Sequence, residues 1–267
     1  MPTTYAHDLF GKLVYKSIPK EMQKVIRKHG DLYRIGLHGP DILFYHLFDG
    51  KVNQLGVEMH KKRAKSFFEK GMEQVRRTGD EALCAYLLGF GCHYLLDTSC
   101  HPYINSLDKK GVITHTLLEK EFDRMLMIQT RKNPYFYYPS DCIVPKPEYA
   151  RVIHRAIPAI SAGKIFFSLR MMKFATNAMV YDDGGKKRML IGLLAHLAGK
   201  KRRLEVMDHF MRKEPPADIS SILEEVKRKF QEGLGDASVY LKELYLLSKE
   251  NKPLSFRWNL TYNGTKA

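Results

Sequence analysis

The amino-acid sequence predicts an all-α fold, a single compact multi-helix domain, and three observations lead to it. Apolar residues recur at three-and-four spacing along nearly the whole chain, which is the helical period. Strand-like alternation is confined to the short stretch 135–138. Turn residues punctuate the chain at intervals too short to be interdomain linkers.

Taken in order, the periodicity predicts helices at 20–28, 40–48, 54–78, 80–100, 111–130, 147–158, 163–181, 187–199, 202–212 and 217–248. Gly30 closes the first, Gly39-Pro40 opens the second, and Gly50 and Gly79-Asp80 bracket the third. Pro102, Asn133-Pro134, the run 182–185 and Pro215-Pro216 mark later boundaries. A chain of 267 residues that is 44% hydrophobic can bury one sizeable core. Residues 1–250 are expected to form it, with 251–267 a loosely ordered tail.

Lys and Arg number 44 against 29 Asp and Glu, a net charge of +15 that attracts anionic partners: nucleic acid, lipid headgroups or phosphorylated substrates. Many of these cations, among them Lys61, Lys62, Arg63, Arg76 and Arg77, fall where a solvated helix face is expected. The run Lys200, Lys201, Arg202, Arg203 is the best candidate for an anion-facing patch. No secretory signal is visible in residues 1–13, and no run of 18 apolar residues is present, so a soluble protein is expected. The four cysteines, Cys84, Cys92, Cys100 and Cys142, form no C-x-x-C pair, and three of them fall in one predicted helix. That argues against a zinc ribbon or a disulfide framework and fits reduced thiols in a cytoplasm.

The chemistry is carried by polar residues on stripes that should be apolar. Leu83, Leu87, Phe90, Tyr94, Asp97 and His101 follow helical spacing, with His93 one turn before Asp97. A buried carboxylate without a partner is costly enough to protonate instead, and a metal ion is the economical partner. His60 shares a stripe with Val57, Ala64, Phe67 and Gly71, and His115 and Glu119 share one with Phe122 and Leu126. A His and a Glu four residues apart project from one face and can hold one ion together. Eight residues of helix separate the Cα atoms of His93 and His101 by about 12 Å, too far for one ion to take both comfortably. With a helix end expected at Pro102 to turn His101 aside, a multinuclear cluster follows.

Together, His7, the segment Gly39-Pro40-Asp41, His60, His93-x-x-x-Asp97 with His101, and His115-x-x-x-Glu119 resemble the ligand series of the zinc-dependent phospholipase C family, in its order, across residues 7–119. The resemblance implies one zinc on Asp41, His60, His93 and Asp97, and a second on His101, His115 and Glu119. It also implies a third on His7, a bridging Asp97 and a processed N-terminus. Extracellular members complete that third site with an N-terminal Trp, whereas the sole Trp here is Trp258. A two-zinc site is therefore expected at least as strongly as three, with Asp8 or water as a substitute ligand if the third forms.

The function expected is that of a zinc-dependent phosphodiester hydrolase. Two zinc ions about 3.5–4 Å apart can bind both non-bridging phosphate oxygens and bring a bound water to hydroxide near neutral pH, to attack phosphorus. The resemblance makes Asp41 the general base as well as a ligand, presented at a helix start by Gly39-Pro40. A phospholipid or other phosphodiester is the expected substrate. A single-strand nuclease with a similar ligand set is the main rival, since a basic surface suits a nucleic-acid backbone. A non-catalytic zinc protein seated on anionic membranes is another. An HD-type phosphohydrolase is disfavoured, because His7-Asp8 is the one His-Asp dipeptide and has no upstream His. His38 and His46 are expected near the metals and not among their ligands. His29, His154, His196 and His209 are expected to be surface or satisfied helix residues.

Overall fold

The computed structural model describes residues 4–46, 48–181, 184–197, 199–215 and 218–266, with only the backbone described at 200–202 and 205. Among the described residues there are twelve α-helices, three short 3-10 turns and no strand beyond an isolated bridge between Leu260 and Lys266. The helices are α1 (Thr4–Ser17), α2 (Lys20–Lys28), α3 (Gly30–Gly36), α4 (Gly50–Lys61), α5 (Lys65–Thr78) and α6 (Glu81–Lys109). They continue with α7 (His115–Gln129), α8 (Pro147–Ala156), α9 (Ala162–Ala178), α10 (Lys186–Leu197), α11 (Lys200–Asp208) and α12 (Ser220–Leu247).

Helix α6 is the hub. Every residue from 83 to 98 is buried, polar ones included, so this helix has no solvent face along that stretch. Helices α1, α3, α5, α7, α8 and α12 all pack on it. Its start is capped by Asp80, whose side chain accepts from the Leu83 N–H. The tightest crossing is with α3. A Cβ added at Gly36 would lie 2.2 Å from the Tyr86 carbonyl oxygen, and one added at Gly89 would lie 2.1 Å from that of Tyr33. The two backbones therefore touch, and only glycine fits either position.

Several expectations need correction. Pro102 does not end the helix, which runs seven residues further to Lys109. Packing outweighs one missing N–H: Pro102 is held against Gly264 of the C-terminal segment, whose backbone closes over the Thr98 carbonyl. The helix expected at 54–78 is two, α4 and α5, broken at residues 62–64. His60 therefore lies in the last turn of α4, and Phe67 and Gly71 belong to α5. Residues 39–45, expected as helix, form a 3-10 turn. Helices α1 and α3 were not expected, because the buried His7 and Asp8 break the apolar stripe of the first and the second is only seven residues long. The stretch 135–138 is turn and loop.

The segment after α12 is not a loose tail. Leu254, Trp258 and Tyr262 are buried, and Trp258 stacks on Tyr94 at 5.2 Å between ring centres. The Tyr262 N–H donates to the His60 carbonyl and the Ala64 N–H to that of Leu260, so this segment occupies the break between α4 and α5. No helix among the described residues is long and apolar enough to cross a membrane.

Gly89→Ala forces α3 from α6, and a loss of about 3 kcal/mol is expected from overpacking at a rigid backbone crossing. Urea denaturation measures it; a change within about 0.5 kcal/mol would show the crossing to be looser than described.

Candidate metal centre

All eight residues proposed as ligands from the sequence converge. His7 comes from the second turn of α1, Asp41 from the turn at 39–45, and His60 from the last turn of α4. His93, Asp97 and His101 come from successive turns of α6, and His115 and Glu119 from the first turns of α7. They fall into three groups of mutually close donor atoms, the first two sharing His93: His7, His93 and Asp97; Asp41, His60 and His93; and His101, His115 and Glu119.

The distances are those of shared ligation. His60 Nε2 is 3.0 Å from Asp41 Oδ1, and His93 lies 3.5 Å from Asp41 Oδ2 through Nδ1 and 3.0 Å from Asp97 Oδ2 through Nε2. Asp97 Oδ1 is 3.4 Å from both His7 Nε2 and His101 Nε2. Glu119 Oε1 is 3.4 Å from His101 Nε2 and 2.9 Å from His115 Nε2. Donor atoms about 2 Å from one tetrahedral zinc stand about 3.3 Å from each other, the middle of this range.

Hydrogen bonding does not account for the cluster. Asp41 Oδ2 and Glu119 Oε2 are buried with no hydrogen-bond partner among the described residues, and the 3.0 Å approach of His93 Nε2 to Asp97 Oδ2 lacks hydrogen-bond geometry. Orphaned polar atoms of this kind are costly, and a divalent cation is the partner that carboxylate oxygen and imidazole nitrogen share. The donor set fits zinc.

Electrostatics agree. Burial pushes the carboxyls of Asp97 and Glu119 up, but His101 and His93 around the first, and His115 and His101 around the second, outweigh it and hold both below the ordinary range. Burial depresses His93, yet Asp97 and Asp41 raise it to about 9; His60 and His115 are raised by Asp41 and Glu119. His7 goes the other way, lowered to about 4 by burial and by the neighbouring His93, whose ring stacks on it at 4.5 Å.

A surrounding layer of contacts aims the ligands. His60 Nδ1 meets the Gly56 carbonyl at 2.8 Å, which points Nε2 at the cluster. His115 Nδ1 meets Asn105 Oδ1 at 2.8 Å, and Asn105 Nδ2 donates to Asn263 Oδ1. Asn105 continues the four-residue spacing of Asp97 and His101, a signal that was available in the sequence. Asn263 and Tyr262, whose ring lies 5.3 Å from His60 and 5.8 Å from His93, carry no such signal because the last segment has no periodicity. Asp123 of α7 accepts from the Tyr5 and Ala6 N–H groups at 3.2 and 2.7 Å, fixing the start of the helix that delivers His7. Burial pushes its carboxyl up to about 7.

Other sequence candidates lie elsewhere. Asp8 is bound by Arg34 through two oxygens and by Lys12, so it does not complete a metal site. His38 lies beside the cluster, 6.4 Å from the His7 ring, with Nε2 3.1 Å from Cys142 Sγ. His46 packs on Phe167. His154 Nδ1 meets the Ile160 carbonyl, and His196 is exposed on α10. In the basic run 200–203, Arg203 is exposed, while the side chains of Lys200, Lys201 and Arg202 lie outside the described residues.

A cleft of about 290 Å³ opens over the cluster, lined by Asp41, His60, His101, His115 and Glu119. His7, His93 and Asp97 do not line it. Phe44 and Val57 give it an apolar wall; Lys61, Asn105 and Asn263 supply polar groups.

An all-α body carrying clustered imidazoles and carboxylates beneath an open cleft is a helical scaffold whose site could hold metal ions. The zinc dependent phospholipase C family model matches residues 3–161, and the chain belongs to that family. That match takes in all eight clustered residues. No curated protein and no solved structure matches the chain.

Two outcomes are expected. Asp97→Asn lowers both zinc content and stability, whereas the exposed His196→Gln changes neither; unchanged stoichiometry in the first, read by elemental analysis, argues against metal binding here. Zinc binding to the metal-free protein at pH 7 releases protons. His93 holds its proton in the folded state up to about pH 9, so its stabilisation is complete below about pH 6.5 and lost as pH rises through the folded value. Zinc competes for the same nitrogen. Titration calorimetry in buffers of different ionisation enthalpy measures the release, and proton-neutral binding contradicts it.

Proposed function

We propose that this protein is a zinc-dependent phosphodiesterase of the phospholipase C type, acting on the phosphodiester of a phospholipid. The observation that carries the reading is the convergence of eight His, Asp and Glu side chains, with unpartnered buried carboxylate oxygens, beneath one open cleft. Asp41, His60, His93 and Asp97 would hold one zinc and His101, His115 and Glu119 a second, with His7 and Asp97 offering two ligands to a third. When bound, zinc supplies Lewis acidity toward the phosphoryl oxygens and makes water a nucleophile near neutral pH.

The chain's own groups do the rest. Asp41 is in the ionised form that accepts a proton, since burial raises its carboxyl but His93 and His60 outweigh it. Asp41 lines the cleft, so its carboxylate is the group assigned to take the proton from the attacking water. Three carboxylates, Asp41, Asp97 and Glu119, offset most of the charge of two zincs, and the surplus favours a phosphate monoanion. Lys61 at the rim adds a cation, and Asn105 and Asn263 offer amide groups for phosphate or headgroup oxygens. Phe44 and Val57 face the cleft as the surface for an apolar leaving alcohol, and the small volume suits a headgroup and its phosphate better than a nucleic-acid strand.

The zinc-loaded protein should hydrolyse a chromogenic phosphodiester and short-chain phosphatidylcholine, with single-stranded DNA a poor substrate. Asp41→Asn is expected to lower kcat by about 10²–10⁴, a larger effect than any loss of bound zinc explains when the two are measured together. Preference for DNA would move the assignment to a nuclease, and inactivity on all three substrates with zinc present would leave a binding role.

A further inference from the structure

Helix α10 presents its apolar residues to solvent. Met189, Leu190, Leu193, Leu194 and Leu197 are between 57% and 80% exposed. At about 100° per residue these five occupy one arc of about 140°. The opposite side of α10, where Gly192 is buried against Met207, packs on α11, and Leu204 of α11 adds a sixth exposed apolar side chain at 59%. In a chain that buries its core so thoroughly around α6, this inversion is the anomaly that requires a partner.

The charge of the segment says what that partner is. Residues 186–208, which span the two helices, contain seven Lys or Arg, at 186–188 and 200–203, against two acidic residues, Glu205 and Asp208. Both basic clusters fall in the first turns of their helices, and neither helix has an acidic residue there. Cations at the positive end of a helix dipole repel it, so this arrangement favours an anionic partner over a neutral apolar one. An apolar face beside clustered cations is the pattern of a helix lying in the headgroup layer of an anionic membrane. The hairpin is rooted beside the metal cleft: Asp208, the last residue of α11, accepts from Thr114 Oγ at 2.8 Å, next to the ligand His115. It also lies beyond residues 3–161, so it is not part of the segment that defines the family.

We infer that the α10–α11 hairpin docks this protein on the surface of an anionic phospholipid bilayer, with the exposed face of α10 seated among the acyl chains and the basic first turn of α10, residues 186–188, against lipid phosphates. Docking is read without turnover and does not rest on the phosphodiesterase reading.

The test is co-sedimentation of the zinc-loaded full chain with vesicles of phosphatidylcholine, either pure or with roughly one-third phosphatidylserine. Wild-type protein is expected to bind the anionic vesicles more tightly than the neutral ones, and to lose affinity as salt rises from about 0.1 to 0.5 M. Leu193→Glu with Leu197→Glu should weaken binding at least tenfold while zinc content, thermal transition and turnover of a water-soluble phosphodiester stay as in wild type. Lys186→Glu with Lys187→Glu should reduce the preference for anionic vesicles. The inference is overturned if wild-type protein does not bind, or if the Leu193→Glu, Leu197→Glu protein binds equally well. A wild-type dimer that this variant converts to a monomer, with no vesicle binding by either, would instead assign the face to a second copy of the chain.

Discussion

Asp97 is 2% exposed and lies within 4.0 Å of four imidazoles, those of His7, His60, His93 and His101. A carboxylate in that position cannot be left uncompensated in a protein interior, and the surrounding architecture answers to it. Helix α6 must be buried on every side to place it there. Helix α1, the turn at 39–45 and α4 must each end or begin where His7, Asp41 and His60 reach it. The opposing charges of imidazole and carboxylate hold the metal-free arrangement together, and the same atoms are the ones a divalent cation would take.

The demands of that site explain features that look like defects in a helical bundle. Gly36 and Gly89 bring α3 onto α6 with backbones in contact, which draws the following turn, with Gly39 and Asp41, in over His93. Gly39 has φ +46, and a Cβ there would lie 2.3 Å from the His93 ring. The break between α4 and α5 frees backbone groups that the C-terminal segment satisfies, and that segment returns Tyr262 and Asn263 to the ligands from the far end of the chain. A polar site inside an apolar body is thus enclosed by residues from both ends of the sequence.

The α10–α11 hairpin follows a different logic from the body. The core residues of α6, α3 and α12 face inward; the large side chains of α10 face out. One element encloses the clustered His, Asp and Glu side chains, and the other leaves its apolar side chains on the outside of the molecule. A phosphodiesterase that meets its substrate at a lipid surface needs both, since a cleft of headgroup size is served only when the bilayer is brought to its mouth.

The sequence by itself determined the all-α class and, by helical spacing, His60, His93, Asp97, His101, His115 and Glu119; His7 and Asp41 were legible only through the order of ligands in the family they resemble, because neither shares a helical face with another of the eight. Asn105 was legible by the same spacing. Tertiary structure decided that α6 continues through Pro102, that α1 and α3 exist, that α4 ends just after His60, and that the last segment is buried. Each is settled by burial against distant parts of the chain, which overrides local propensity and leaves no periodic trace. Spacing along one helix also did not reveal that two of the three donor groups share His93, or that the apolar stripe of α10 faces water. Which side of a helix is covered depends on what packs there, and that is fixed by the fold as a whole.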